Sequence, residues 1–201
     1  MHHLRYAGLS FAEQASALEK ILRADAAVWP AIERARALDL LDWMVVSGAL
    51  YNTVWNRLTG KPAGHGIKDI DLFYHSASDL SWEAEDAVIK RGAAHFAGIS
   101  PPVEIRNQAR VHLWYKQRFG GDVPMFQSSA HSLEHFASET HAVGVHLDRD
   151  NPSPADLIGR VSLTRYFEAE QLHTDPTTGV SGVTELRQTL SNQGANSLQN
   201  V

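Results

Sequence analysis

The sequence predicts an α/β (α+β) fold, and three observations support this class. Apolar residues recur at helical spacing through the first forty positions. Two short, bulky apolar segments, Trp43–Val46 and Ile67–Tyr74, are bounded by glycine or turn residues and are typical of strands. The chain has 201 residues, of which 43% are apolar and 20% charged, which is ordinary globular composition. The sequence therefore predicts one main domain in which strands and helices alternate.

The N-terminal segment, residues 1–40, is predicted to form two helices. Ser10 followed by Glu13 matches a capping box at the start of the first helix. Pro30 suits the first turn of the second helix, where its missing N–H costs no hydrogen bond. These helices precede a core that we assign to residues 41–172.

A strand-to-helix turn is predicted at Ser47 and Gly48. The strand Trp43–Val46 ends there, and apolar residues spaced by four follow it: Leu50, Val54 and Leu58. A glycine allows a phosphate to approach the backbone closely. A helix N-terminus adds unpaired amides and the positive end of the helix dipole. Ser47 and Gly48 are thus candidate phosphate-binding residues.

Two carboxylates alternate within the second strand. Because side chains of a strand alternate, Asp69 and Asp71 lie on the same face, with Cα atoms roughly 6.5–7 Å apart. Two neighbouring anions repel each other unless a positive charge lies between them. A divalent cation supplies that charge, and hard oxygen ligands favour Mg²⁺ or Mn²⁺. Asp69 and Asp71 are therefore candidate metal ligands.

A third carboxylate, Glu104, lies on the polar face of a strand predicted at Val103–Arg106. If this strand neighbours the Asp69–Asp71 strand, the three carboxylates converge on one or two metal ions, as in phosphoryl transfer. Arg106 shares the face of Glu104, where it either binds phosphate or neutralises the acidic cluster. The alternating residues 111–115 predict that this strand continues into a hairpin.

The C-terminal part of the chain changes in composition. Residues 158–172 predict a late helix, after which polar residues dominate as far as Val201. We therefore expect a single domain over residues 1–172 and a polar, flexible tail over 173–201.

Composition and charge exclude several function classes. Cysteine is absent, which excludes disulfides and thiolate chemistry. No run of about 20 apolar residues predicts a membrane span, and the first residues lack the apolar region of a signal peptide, so we expect a cytoplasmic protein without a membrane partner. The net charge of −5 argues against extended nucleic acid as a partner and favours a small substrate.

The segment Leu38–Phe167 resembles uncharacterised bacterial nucleotidyltransferase-like proteins of the DNA polymerase β-type superfamily. The resemblance is carried by GALYNTVWNRLTG, IKDIDLFYHSASDLSWEAEDAV, VEIRNQARVHLWY and ETHAVGVHLD. It implies a mixed sheet with helices packed mainly on one face. It also implies Mg²⁺- or Mn²⁺-dependent transfer of a nucleoside monophosphate from a nucleoside triphosphate to an unknown acceptor hydroxyl.

The resemblance also assigns roles to single residues. Gly48 matches the turn of the superfamily pattern, and Asp69 and Asp71 match the pair that holds both metals. Glu104 matches the third acid, which holds or assists the ion that activates the acceptor. The superfamily prefers serine or glycine after the turn glycine, where this chain has Ala49.

Two alternatives remain open at this point. A non-catalytic nucleotide-binding protein of the same fold is favoured by Ala49, which lacks a hydroxyl for a terminal phosphate. A zinc metallohydrolase is favoured by His131 and His135, which match H-x-x-E-H and would share one face if the segment is helical.

Overall fold

The computed structural model describes residues 5–6, 8–136, 141–147 and 156–158. Its centre is a five-stranded sheet in the order β3-β2-β1-β4-β5. The strands are β1 (Met44–Val46), β2 (Ile70–Tyr74), β3 (Val103–Asn107), β4 (Gly144–His146) and β5 (Asp156–Ile158). Strands β2 and β3 run parallel, and the other neighbours are antiparallel. The predicted mixed sheet is confirmed.

Six α-helices accompany the sheet in the described part of the chain. They are α1 (Phe11–Arg23), α2 (Trp29–Ala37), α3 (Gly48–Thr59), α4 (Trp82–His95), α5 (Val111–Phe119) and α6 (Ser129–Leu133). The capping box predicted at Ser10 and Glu13 is present at the start of α1. Pro30 occupies the first turn of α2, as predicted. None of the described helices is long and apolar enough to cross a membrane.

One face of the sheet forms the main hydrophobic core. A buried row crosses four strands in register: Val145, Val45, Leu72 and Ile105. Helices α1 to α3 contribute fully buried side chains to the same core, among them Leu18, Leu22, Ile32 and Leu50. Because the apolar row faces these helices, the residues that alternate with it point to the opposite face of the sheet.

The opposite face is covered only in part. There Met44 and Val46 of β1 pack with Leu133 of α6 in a second, smaller core cluster. On the same face, Val46 of β1 pairs with Asp71 of β2, and Asp71 pairs with Glu104 of β3. Among the described elements the helices therefore pack mainly on one face, and the other face exposes an acidic region.

The predicted hairpin after β3 is wrong. Residues 108–110 form a 3₁₀ turn, and α5 follows at once. The turn is started by Asn107, whose side chain accepts a hydrogen bond from the Ala109 amide. Val111 and Leu113 fitted the alternation of a strand, but only Val111 is buried, and Leu113 is 54% exposed. The alternating residues are thus not buried together on one side, and alternation alone was insufficient to specify a strand.

The C-terminal predictions are tested in only one place. Ile158, predicted to begin a late helix, ends β5 instead, because it pairs with Gly144 across the sheet. The rest of that helix and the predicted tail from residue 173 lie outside the described residues.

Candidate active site

The strand register brings the predicted acidic pair and the predicted turn to the same end of the sheet. Strands β1 and β2 are antiparallel, and Val46 pairs with Asp71. β1 ends at Val46 and α3 begins at Gly48, so Ser47 directly follows the residue that pairs with Asp71, while Asp69 lies just before the start of β2. The predicted turn and Asp71, which are distant in the chain, therefore lie close together at this end of the sheet.

Asp71 has the strongest electrostatic perturbation in this region. Its pKa is raised from the ordinary value of 3.8 to about 6. Partial burial of the carboxylate is the largest cause, followed by the negative charges of Asp69 and Glu104, while Arg106 acts in the opposite direction. The three acids predicted from the sequence therefore influence one another, and their shared negative charge exceeds what Arg106 neutralises.

Glu104 and Arg106 form an ion pair along the outer strand. Nη2 of Arg106 lies 3.2 Å from Oε2 of Glu104, and the two side chains are 46% and 49% exposed. Arg106 also donates a hydrogen bond from Nη1 to the carbonyl of Ile105. Pairs this exposed contribute about 0–1 kcal/mol, so a bound anion or cation can displace either partner at little cost.

The donor set determines what kind of metal site this face can provide. Within the described ranges, no three or more His, Asp or Glu side chains are grouped so that they could hold a metal ion. A cage made of protein ligands alone is thus absent from that part of the chain. Mg²⁺ usually takes one or two carboxylates and completes its shell with water and substrate phosphates. Asp69 and Asp71 fit that donor set, and a role for Glu104 as third ligand stays a prediction.

The turn between β1 and α3 has an unusual backbone at its first residue. Ser47 has φ 60° and ψ −132°, a conformation that strongly favours glycine, and its side chain makes no capping hydrogen bond. The carbonyl of Ser47 accepts the amides of Leu50 and Tyr51. Among the described hydrogen bonds none uses the amide of Gly48 or Ala49, so these two N–H groups remain at the helix N-terminus.

Ala49 cannot take part in ligand binding through its side chain. It is fully buried, and it packs in the main core beneath the sheet. A side chain at this position is therefore surrounded by core residues. The lack of a hydroxyl at residue 49 is therefore no argument against phosphate binding, contrary to our sequence-based interpretation.

The zinc motif is not supported by the local structure. Helix α6 ends at Leu133, so His135 lies beyond it and the two histidines do not share a helix face. Both histidine rings instead pack against Phe126, and the centroids of the two histidine rings are 5.5 Å apart. Nδ1 of His131 accepts a hydrogen bond from the amide of Gln127. These contacts account for both histidines as packing partners of Phe126, His131 within α6 and His135 just after it.

Two residues that the sequence argument missed border the turn. Tyr51 and Asn52 place side-chain polar atoms close to Gly48 from the first turn of α3. Their spacing of three and four from Gly48 was the available signal, since residues at this spacing lie on one helix face. His141, which stacks on Tyr51, has no comparable signal because it is distant in the chain.

Comparisons with known proteins identify the family and the fold. A family profile described as nucleotidyltransferase matches residues 33–175, which is more than half of the chain. No curated protein matches the sequence. An NMR structure described as revealing a CCA-adding enzyme head domain matches with a TM-score of 0.61 and 21% identity. The match covers 86% of this chain and 85% of that one, and at this identity it shows the fold alone.

Proposed function

Because the chain belongs to the nucleotidyltransferase family, we propose that it transfers a nucleoside monophosphate from a nucleoside triphosphate to an acceptor hydroxyl in the presence of Mg²⁺ or Mn²⁺. The observation that carries this proposal is the pairing of Val46 with Asp71, which brings Asp71 next to the start of the Ser47–Gly48 turn; Asp69 is close enough to raise the pKa of Asp71. A pair of carboxylates next to free helix amides suits a metal-bound triphosphate better than it suits a metal ion alone or a triphosphate alone.

In this proposal, one group of residues binds the metal and another binds the phosphates. Asp69 and Asp71 would hold the metal, which would neutralise charge on the phosphates and on the attacking oxygen. The amides of Gly48 and Ala49 lie at the N-terminus of α3, where the helix dipole favours an anion. Arg106 lies on the same face as Asp71, where its guanidinium can bind a phosphate once Glu104 is released.

The proposed reaction is an in-line substitution at the α-phosphorus. The acceptor oxygen forms a bond to that phosphorus, the bond to the bridging oxygen of the β-phosphate breaks, and pyrophosphate leaves. We infer that Glu104, which is half-exposed and pairs in register with Asp71, accepts the proton that the acceptor hydroxyl loses. The protein contributes mainly by positioning the reactants and by balancing charge.

The non-catalytic alternative lacks support from a specific observation. It depended on Ala49, whose side chain is buried in the core. A site without a ligand would instead carry the energetic cost of a carboxylate whose pKa is raised by its acidic neighbours. Catalysis therefore remains our proposal, while the identity of the nucleobase and of the acceptor is left open. We retain a cytoplasmic location as a further prediction.

The direct test is a thermal-shift screen of the four ribonucleoside triphosphates, with and without Mg²⁺. We expect at least one triphosphate to raise the melting temperature only when the metal is present, since a ligand that binds the folded state stabilises it. A turnover assay with that nucleotide, which follows pyrophosphate release over a panel of hydroxyl acceptors, then separates an enzyme from a binding protein.

Calorimetry with matched variants tests the assigned residues. Asp69→Asn and Asp71→Asn should abolish Mg²⁺-dependent nucleotide binding and leave the fold intact. Asp122→Asn is the control, because that carboxylate is 76% exposed and pairs only with Lys116 in the described structure. Equal affinities of the wild type and all three variants would contradict the proposed site.

A further inference from the structure

A small polar cavity lies between α1 and α3, which pack on the face of the sheet opposite to the candidate active site. Its volume is about 140 Å³, and its wall includes Asp25, Thr53, Asn56, Arg57 and Lys61. We propose that this cavity binds a small phosphate group, with Arg57 and Lys61 as its cationic partners and the Thr53 hydroxyl as a neutral donor.

The size of the cavity determines what it can hold. A cavity of about 150 Å³ holds one benzene-sized molecule, whereas sites for drug-sized ligands measure about 300–1,000 Å³. The cavity between α1 and α3 therefore suits a single phosphate group and is too small for a nucleoside triphosphate. It is a site separate from the proposed nucleotide site, and its ligand is bound without the metal and the carboxylates of that site.

The side chain of Thr53, in the wall of this cavity, is buried without a hydrogen-bond partner. Only 1% of the residue is exposed, and Oγ1 has no partner among the described residues. A helical threonine can donate to the carbonyl three or four residues earlier, and Thr59 of the same helix does so with Trp55 at 2.7 Å. Thr53 does not use this local acceptor. A buried hydroxyl without a partner destabilises the protein, so a ligand that accepts a hydrogen bond from it offsets that cost.

Two basic side chains at the same cavity have no carboxylate partner. Arg57 lies four residues after Thr53, on the same face of α3, and Lys61 follows the end of that helix. Among the residues that the structure describes, neither Arg57 nor Lys61 forms an ion pair. An anion in the cavity therefore meets two positive charges, and a guanidinium can bind a phosphate through two parallel hydrogen bonds.

Asp25 adds a negative charge to the wall, but its carboxylate is bound to the backbone. Oδ1 of Asp25 accepts hydrogen bonds from the amides of Ala27 and Val28, each at 2.9 Å. These bonds stabilise the turn before α2 and satisfy part of the carboxylate. Since Arg57 and Lys61 together outweigh this one charge, the wall carries a net positive charge, which favours an anionic ligand.

The loop after α3 is fixed by backbone contacts before a ligand binds. Gly60 follows α3 with a φ of 71°, which reverses the chain, and the amide of Lys61 donates to the carbonyl of Asn56 at 2.8 Å. Nδ2 of Asn56 donates to the carbonyl of His65, also at 2.8 Å, and holds the rest of the loop against the helix. Binding therefore restricts mainly the side chains of Arg57 and Lys61, which limits its entropic cost.

The test is a calorimetric titration of inorganic phosphate into the protein at low ionic strength, with a chelator and without nucleotide. We expect saturable binding by the wild type at millimolar phosphate or below. Thr53→Val and Arg57→Gln should each raise the Kd about tenfold, because hydrogen bonds to charged groups are the stronger ones. Lys90→Gln is the matched control and should bind like the wild type, because this lysine of α4 pairs with Asp86 and does not line the cavity.

The stability of the Thr53 variants separates a binding role from a structural one. Without phosphate, Thr53→Val should raise the melting temperature, since it replaces an unpaired buried hydroxyl by a methyl group of similar size. Thr53→Ser keeps the hydroxyl and should bind phosphate like the wild type. A lower melting temperature of Thr53→Val would show that the hydroxyl stabilises the protein by itself, and this result would overturn the proposal.

Further titrations identify the site and the source of the phosphate. A changed affinity in Asp71→Asn together with an unchanged affinity in Thr53→Val would place the phosphate at the candidate active site and overturn the proposal. Tighter binding of glycerol phosphate than of inorganic phosphate would support a phosphate ester as the ligand, and the reverse order would support free phosphate. If the wild type binds neither, the cavity holds water only and the proposal is overturned, while the proposed nucleotidyl transfer is unaffected.

Discussion

The negative charge of Asp71 destabilises the folded protein when no cation is bound nearby. Asp71 is partly buried on the sheet, it pairs in register with Glu104, and the negative charge of Asp69, just before β2, also raises its pKa. Arg106 offsets only part of this repulsion, and it is itself paired with Glu104. A side chain in this position costs stability unless a cation is bound, which is a property expected of a ligand-binding carboxylate.

The raised pKa of Asp71 predicts a specific pH dependence. The folded protein keeps the proton up to about pH 6, whereas the unfolded chain releases it near 3.8. Stability therefore falls as pH rises through this window and stays lower above it. In urea unfolding with a chelator present, Asp71→Asn should be more stable than the wild type at pH 8, and the two should converge near pH 4. An identical difference at both pH values would contradict this.

Ser47 offers a second prediction at the level of a single residue. Its φ of 60° and ψ of −132° suit glycine, and such strain costs about 1–3 kcal/mol in other residues. Glycine adds about 0.5–1 kcal/mol of entropy cost. Ser47→Gly should therefore stabilise the protein by about 1 kcal/mol in chemical denaturation. Ser47→Ala keeps the strain and removes the hydroxyl, so it should give no such gain; a larger gain in the alanine variant would refute the strain argument.

At the scale of elements, a buried polar network joins α4 to the end of β3. Glu85 of α4 accepts the amide of Asn107 at 2.8 Å and pairs with Arg110 in the following turn. Arg110 also donates from Nε to the carbonyl of Leu80, just before α4. Since both side chains are only about 10% exposed, each is the oppositely charged partner that offsets the burial of the other's charge. The network fixes the edge strand that carries Glu104.

Breaking this network should destabilise the whole domain. Glu85→Ala leaves the Arg110 guanidinium buried without its partner, and we expect a loss of about 3–5 kcal/mol in urea unfolding. The double variant Glu85→Ala with Arg110→Met should lose less than the sum of the single losses, because no unpaired charge remains. Additive losses would show that the two side chains act independently.

At the scale of the whole molecule, charge limits the choice of partners. The chain carries 18 basic and 23 acidic residues, which gives a net charge of −5. Binding of long nucleic acids relies on basic residues that release counterions from phosphates. A small, metal-bound anion avoids this requirement, because its charge is neutralised locally at the carboxylates.

This charge balance predicts weak binding to polynucleotides. In fluorescence anisotropy at low salt, single-stranded RNA of about 20 nucleotides should bind no more tightly than it binds an acidic protein of the same size. The site variant Asp71→Asn should not alter that result. Tight, salt-sensitive binding by the wild type would contradict the prediction and would make a nucleic acid the better candidate for the acceptor.

The amino-acid sequence by itself determined the features that depend on neighbours along the chain. The capping box at Ser10 and the proline turn at Pro30 follow from spacings of a few residues, and the strand that carries Asp71 follows from its short apolar run. The turn at Ser47 and Gly48 was likewise visible as the end of an apolar strand before a helical repeat. Such patterns are local, so no knowledge of the fold was needed to find them.

The tertiary structure alone decided which distant segments meet and which side chains are buried. It put glycine-like backbone strain on Ser47 rather than Gly48, turned Ala49 into the core and made residues 111–119 a helix. It also brought His141 against Tyr51 at the turn. These outcomes depend on contacts between segments far apart in the chain, and the free energy of such contacts outweighs the local preferences that a sequence pattern records.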